Sequence, residues 1–187
     1  MTLPGQADLS NVPPPRWVGE REIGLGGEWK ARWVDDQPLP SDIPIQWAYS
    51  VVICDDKGYV CRKKGTTLWD TTEGEPNDGE KAETFLQRIA KERVSASSGK
   101  IELVGFLDCK ATSHNTKTKV GGRTTIPFFL TASGKVQNAP RDSEYERRRL
   151  PLNEFMKVLR ARYPQFEEYM GLIVDRYQIM KAKGEIN

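Results

Sequence analysis

The sequence predicts an α+β domain, and three observations predict it. Trp47 to Cys54 is a short, nearly continuous apolar run that turns at Asp55–Gly58 and returns from Tyr59 to Arg62, as a hairpin with a buried first strand would. Ala82, Phe85, Leu86 and Ile89 recur at spacings of three and four, which places them on one face of a helix. Phe166, Tyr169, Met170, Ile173, Val174, Tyr177 and Met180 form a second helical stripe near the C-terminus, again with one apolar face.

The remaining elements follow in order. Residues 1–16, with Pro13, Pro14 and Pro15, read as a flexible tail, since this composition favours turns and polyproline. The cluster Gly24, Gly26 and Gly27 marks a turn. Trp29, Ala31 and Trp33 alternate with Lys30 and Arg32, the pattern of a half-buried strand. Pro38, Pro40 and Pro44 punctuate a linker before the apolar run, in which Trp47 is expected in the core. In the turn after that run, Gly58 is the residue expected at positive φ. The helix is expected over 80–94, with Asp78 as its N-cap. A strand follows over 101–109, with Ile101, Leu103 and Leu107 on one face, and another over 124–130. Pro127 should push that last strand to an edge or a bulge. The stretch 141–149 is highly charged and leads into a helix carrying Phe155 and Leu159. The expectation is one domain over 17–187, its core at about 45–165, closed by a helix over 165–182.

Bulk composition excludes several classes. With 28 Lys and Arg against 26 Asp and Glu, the net charge is +2, which makes nucleic acid an unlikely main partner. No apolar run reaches the length of a membrane span, and the N-terminus lacks the regions of a signal peptide. Three cysteines without a CxxC pattern fit a reducing, cytoplasmic setting, and no bond is expected between Cys54 and Cys61. One histidine, His114, cannot build a multi-histidine metal site.

The most specific stretch is Gly74 to Arg93. Glu80 follows Gly74 after five residues, and Arg88 follows Glu80 after seven. Ile89, Ala90, Lys91, Glu92 and Arg93 come next. This spacing resembles the Nudix box, and the chain is similar over about 45–165 to the Nudix hydrolase superfamily. The strand–turn–strand order, Leu68-Trp69-Asp70 ahead of the box, and the stretch 144–155 after it all match that resemblance. It implies a mixed sheet packed between the box helix and the C-terminal helices, with 29–34 as an added element. It also implies that Glu80 and Arg88 brace the loop. In the family, carboxylates three and four apart on the box helix hold Mg²⁺ or Mn²⁺ against a diphosphate. Here those positions are Ile89, Glu92 and Arg93.

Two functional readings follow. In one, the protein recognises a nucleoside-diphosphate-linked or similar phosphorylated ligand. Arg93 supplies a fixed cation where the metal would lie, because a guanidinium grips phosphate oxygens without a metal. In the other, hydrolysis persists with Mg²⁺ or Mn²⁺ on Glu92, Glu80 acting beside it, and a carboxylate from Glu83, Glu144 or Glu146 completing the site. A third reading makes the fold an interaction scaffold, and another an ordinary amphipathic helix with Arg93 solvated. Around the first reading stand Arg88 and the loop residues Lys110, His114, Lys117, Lys119 and Arg123 as phosphate contacts. His114 is also a candidate acid or base. Trp69 is the candidate stacking residue. The run Arg147–Arg149 reads as internally paired with Glu144 and Glu146. The C-terminal stripe reads as core, with a homodimer contact as the alternative.

Overall fold

The structure, a computed structural model, describes residues 19–35, 37–97 and 99–186. The expected tail over 1–16 lies outside the described residues. Among the described residues, eleven elements follow in chain order. They are β1 Glu20–Ile23, β2 Trp29–Asp35, β3 Ala48–Cys54, β4 Lys57–Lys63 and β5 Thr72–Gly74. Then come α1 Ala82–Val94, β6 Lys100–Ala111, β7 Arg123–Ala132, β8 Tyr145–Pro151, α2 Leu152–Arg162 and α3 Glu167–Ala182.

The strands make one mixed sheet in the order β1-β2-β6-β7-β3-β4-β8, with β5 also pairing β3. Of these strands only β3 and β7 pair in parallel, Tyr49 opposite Phe128 and Ile53 opposite Ala132. One face carries α2 and α3. There Val51, Ile53, Val60, Leu107 and Phe128 pack with Phe155, Leu159, Tyr169 and Ile173. The other face carries α1, whose Phe85, Leu86 and Ile89 pack on Ala48 and Phe129, while Ala90 and Val94 meet Val52 and Cys61. This is the α+β, Nudix-like layering that the resemblance implies. The predicted α3 stripe is spent on this core: from Tyr169 to Met180 its residues are buried within the chain.

The differences from the sequence reading have physical causes. The hairpin turn places Asp55 and Asp56, not Gly58, at positive φ, at 50° and 56°. Gly58 lies inside β4, where a Cβ would stand 2.2 Å from Cγ of Phe155. Its glycine is required by close approach of α2, not by turn geometry. Helix α1 starts at Ala82 with Lys81 as a cap that makes no side-chain bond, so Asp78 is not the N-cap. Glu80 instead turns back to its own loop. Trp47 sits just ahead of β3 and is 37% exposed, not core.

Ile101 and Leu103 pack on the α1 side and Leu107 on the other. The register shifts between Leu103 and Gly105, and a bulge moves later side chains to the opposite face. Pro127 is interior rather than at an edge. Thr125 directs both its N–H and its C=O toward the 44–46 segment. By alternation Pro127 lacks its N–H on that same side, in the gap before the ladder resumes at Tyr49 and Phe128. The pairing slips by one residue there, from Ile45 opposite Thr125 to Tyr49 opposite Phe128, so Pro127 sits at an irregularity of the ladder.

The charged run 141–149 contains a strand that periodicity did not reveal: β8 pairs with β4 from Tyr145 opposite Lys63 to Pro151 opposite Lys57. Its arginines separate. Arg147 donates to the carbonyls of Val94 and Gln137, so it satisfies the last turn of α1. Glu146 pairs with Arg62 at 2.6 Å, not with its arginine neighbours. Strands β1 and β5 were also unforeseen; both are short. Cys54, Cys61 and Cys109 are free and buried, as expected of the first two. Among the described residues, no helix is long and apolar enough to cross a membrane.

Candidate functional site

The box residues are arranged by α1 and by the loop ahead of it. Arg88 holds Glu80 in a fork, Nε to Oε1 at 3.0 Å and Nη2 to Oε2 at 2.8 Å. Glu80 also accepts the N–H of Asn77 at 3.0 Å. The Arg88 bonds, then that of Asn77, hold the Glu80 carboxyl below its ordinary range. The pair ties the loop to α1, as the resemblance implied, and commits Arg88 largely to the protein. Glu92 is the exposed partner of Arg88 one turn on, at 3.7 Å.

Ile89, where the resemblance expects a carboxylate, is buried against Ala48 and Phe129. Arg93 turns inward. Its Nη1 donates to the carbonyl of Glu73 at 2.6 Å, and its guanidinium lies 5.4 Å from the Tyr145 ring. A side chain on Gly74 would begin 3.2 Å from Phe85 and 3.7 Å from Nη2 of Arg93, so the box glycine leaves room for both. Nε of Arg93 is buried without a hydrogen-bond partner among the described residues. A buried donor of this kind is costly unless something accepts from it.

Arg93 opens onto a cleft of about 480 Å³, whose walls include Cys61, Arg62, Lys63, Thr66, Thr67, Asp70 and Tyr145. Three cations and one carboxylate line it; Asp70 is engaged by Arg162, Arg62 by Glu146, and Lys63 more loosely by Glu144 at 4.0 Å. Burial pushes the Cys61 thiol up to about 12, so it stays protonated and is no nucleophile. Tyr145 also walls a second cleft of about 610 Å³, lined by Arg88, Lys91, Glu92, Asp142 and Glu144 among others. Of the carboxylates considered for a metal beside Glu92, only Glu144 reaches this cleft. Glu83 is exposed on the first turn of α1, and Glu146 faces Arg62.

The donor set does not fit a box-type metal centre. Glu92 is the only carboxylate among the three helix positions. The neighbouring Arg93 guanidinium would oppose a divalent cation electrostatically. Among the described residues, no group of three or more His, Cys, Asp or Glu could hold a metal ion.

Other predicted residues lie elsewhere. Trp69 is half-buried, with the guanidiniums of Arg62 and Arg148 at 4.6 and 4.5 Å from its ring. Its faces therefore serve cation–π contacts. His114 and Lys117 are exposed on the β6–β7 loop, and Arg123 pairs with Asp108 at 2.7 Å. That hairpin tip begins five residues beyond Phe128 along β7, roughly 16 Å further. The structure does not bring the loop to Arg93.

Sequence reasoning missed Arg62, Lys63, Thr66, Thr67 and Tyr145. Arg62 ends the predicted hairpin, Lys63 lies just past it, and the threonines follow Gly65 in an unassigned turn. Only the burial of Arg93 beside β4 and β8 unites them.

Glu73 was missed too. Its carbonyl holds Arg93, while its carboxylate accepts the indole N–H of Trp47 at 3.3 Å. Tyr163 also bonds this carboxylate and accepts the N–H of Thr71 at 3.0 Å. Burial, then repulsion by Asp70, raises the Glu73 carboxyl above its ordinary range. Its ionised form is thus less favourable in the folded state. Stability is fully present below the ordinary carboxylate value and declines as pH rises through the raised one. Glu73→Gln keeps an acceptor for Trp47 and removes that decline. In a pH series of thermal denaturation, the variant should gain on the wild type across that window, with a constant difference on either side.

No family model matches the sequence, and no curated protein matches it. Solved structures do. The Bacillus subtilis pyrophosphohydrolase BsRppH is 13% identical, with 70% of this chain and 77% of that one covered, at a TM-score of 0.51. The Caenorhabditis elegans Ap4A hydrolase is 12% identical over 72% of this chain and 99% of that one, at 0.47. The Nudix domain of Shewanella oneidensis NrtR, complexed with ADP-ribose, is 13% identical over 62% and 78%, at 0.44. At such identities the likeness is one of fold, carried by the first comparison. The protein has a Nudix-hydrolase-like fold.

Proposed function

We propose that this protein recognises a phosphorylated, nucleoside-diphosphate-linked or similar ligand in the Arg93 cleft, without the metal-dependent hydrolysis typical of an intact box. The observation that carries this is Arg93 itself. It occupies a position the resemblance expects to be acidic, lines the cleft, and is held there by the Glu73 carbonyl and the Tyr145 ring. A phosphate oxygen in the cleft is the natural counter-charge to its guanidinium. Lys63 and Arg62 add charge, and Thr66 and Thr67 add hydroxyl donors.

The test is a thermal-shift panel of nucleoside diphosphates, dinucleotides and nucleotide sugars, with chelator or with Mg²⁺. A ligand that binds only the folded state raises the melting temperature by mass action. Stabilisation with chelator present is the expected result. Stabilisation that requires Mg²⁺ and is lost in Glu92→Gln would replace this reading with the hydrolase, for which Glu92 and Glu144 share a cleft. No shift with any ligand would leave the interaction-scaffold reading.

A further inference from the structure

The basic β6–β7 loop is not used by the Arg93 cleft, and it stands beside a second unusual feature. Leu25 is 92% exposed and Val120 is 71% exposed, the two most exposed of the large hydrophobic residues described. Single exposed apolar residues need no explanation. These two are far apart in sequence, yet their loops are tied together. Thr112 donates its N–H to the carbonyl of Glu28 at 3.0 Å and its hydroxyl to that of Gly27 at 2.7 Å. Asn115 Nδ2 reaches the same Glu28 carbonyl at 3.3 Å. The tip is itself ordered, since Asn115 Oδ1 accepts the N–H groups of Lys117 and Thr118 at 3.0 and 2.8 Å.

Charge is segregated at this end. From Asp108 to Asp142 the sequence has no intervening acidic residue, while Lys110, Lys117, Lys119 and Arg123 all fall there. Lys30 stands opposite Lys110, and Lys110 opposite Arg123, in the register of three adjacent strands. Like charges directly opposite one another weaken a sheet. The nearby carboxylates are Glu28 and Glu22, which lie against Gly24 and Gly27 on either side of the Leu25 turn, Asp108, which is bound to Arg123, and Asp42, which also faces Arg123.

An exposed aliphatic tip beside Lys117 and Lys119, tied to a second at Leu25, suits one class of surface. The tips enter the boundary between headgroups and acyl chains, and the lysines lie along the anionic headgroups. A second copy is a poor occupant, because a two-fold contact would set the same lysines against each other. A nucleic acid gains nothing from Leu25 and Val120, and Lys110–Arg123 contains no Phe, Tyr or Trp on which a base could stack. We propose that the end of the sheet bearing Leu25, Val120, Lys117 and Lys119 docks on an anionic lipid surface. This attachment is peripheral and reversible, and it does not depend on what the Arg93 cleft binds.

The test is co-sedimentation of the full chain with phosphatidylcholine vesicles, with and without phosphatidylserine, at low and physiological salt. Partitioning should require phosphatidylserine and weaken with salt. The double variant Lys117→Gln/Lys119→Gln should lower it about twentyfold, near fivefold per charge. Leu25→Ser/Val120→Ser should lower it by about a hundredfold while leaving the salt dependence unchanged. All four positions are exposed, and an unchanged melting temperature verifies folding. The proposal is overturned by absence of partitioning. It is also overturned by partitioning that ignores the Leu25 and Val120 changes. Tighter binding to an RNA homopolymer with the same indifference would identify a nucleic-acid surface instead. Self-association abolished by Leu25→Ser, without vesicle binding, would identify a second copy.

Discussion

Replacing Arg93 by glutamate is expected to lower affinity for a phosphorylated ligand by about a hundredfold or more. A hydrogen bond to a charged group contributes roughly 1.5–3 kcal/mol, and the change adds repulsion where attraction was. Arg93→Lys should fall between, since an ammonium keeps the charge but loses the planar fork. Arg93→Met removes the charge without reversing it and separates loss of attraction from repulsion. Titration calorimetry with the tightest ligand of the panel, in chelator, checks all three. The glutamate variant also places a second carboxylate next to Glu92 on α1. Mg²⁺ should then raise its melting temperature while leaving the wild type unchanged. Equal affinity in wild type and Arg93→Met would remove Arg93 from the site altogether.

The second large effect concerns the fold. Gly58→Ala should destabilise the protein by about 3 kcal/mol, the upper part of the range for overpacking a core. The added Cβ would stand 2.2, 2.4 and 2.6 Å from three atoms of the Phe155 ring. Phe155 is fully buried in the first turn of α2. For a chain of this size the melting temperature should drop by roughly 6–12 °C. Phe155→Leu alone is destabilising, but it opens the space that the added methyl group would need. The double variant Gly58→Ala/Phe155→Leu should therefore be more stable than the sum of the single effects predicts, by about 1 kcal/mol or more. Strict additivity would show that the clash is relieved elsewhere.

Gly58 also illustrates what could be read before the structure. An Asp-Asp-Lys-Gly sequence between two apolar runs identifies a hairpin, and the hairpin is present. Which residue takes positive φ depends on pairing register, which local sequence did not fix. The long periodic elements α1, α2 and α3 were legible because each buries one face against the sheet. β8 was not, because a strand on the sheet edge with arginines at successive positions shows no apolar alternation. Its assignment rests on pairing with β4, a long-range fact. The site divided in the same way. Glu80 and Arg88 were legible from spacing within one helix and its loop. The rest of the Arg93 cleft was not, because Arg62, Lys63, Thr66 and Thr67 on one side and Tyr145 on the other reach it from two parts of the chain remote from α1. The basic loop was legible as a loop, but only the strand lengths reveal that it projects from the far end of the sheet.

The parallel pairing of β3 with β7 has a consequence for synthesis. β3 ends at Cys54 and β7 at Ala132, so the middle of the sheet cannot close when the first hairpin emerges. At about 5–20 residues per second, some 4–16 seconds separate translation of the two strands. During that interval Ala48–Cys54 presents a bare, almost wholly apolar edge with only β4, and then β5, on its other side. Non-local pairing of this kind is slow to form and exposed to wrong partners until it does. A nascent chain stalled before Arg123 is therefore the form of this protein most in need of a chaperone.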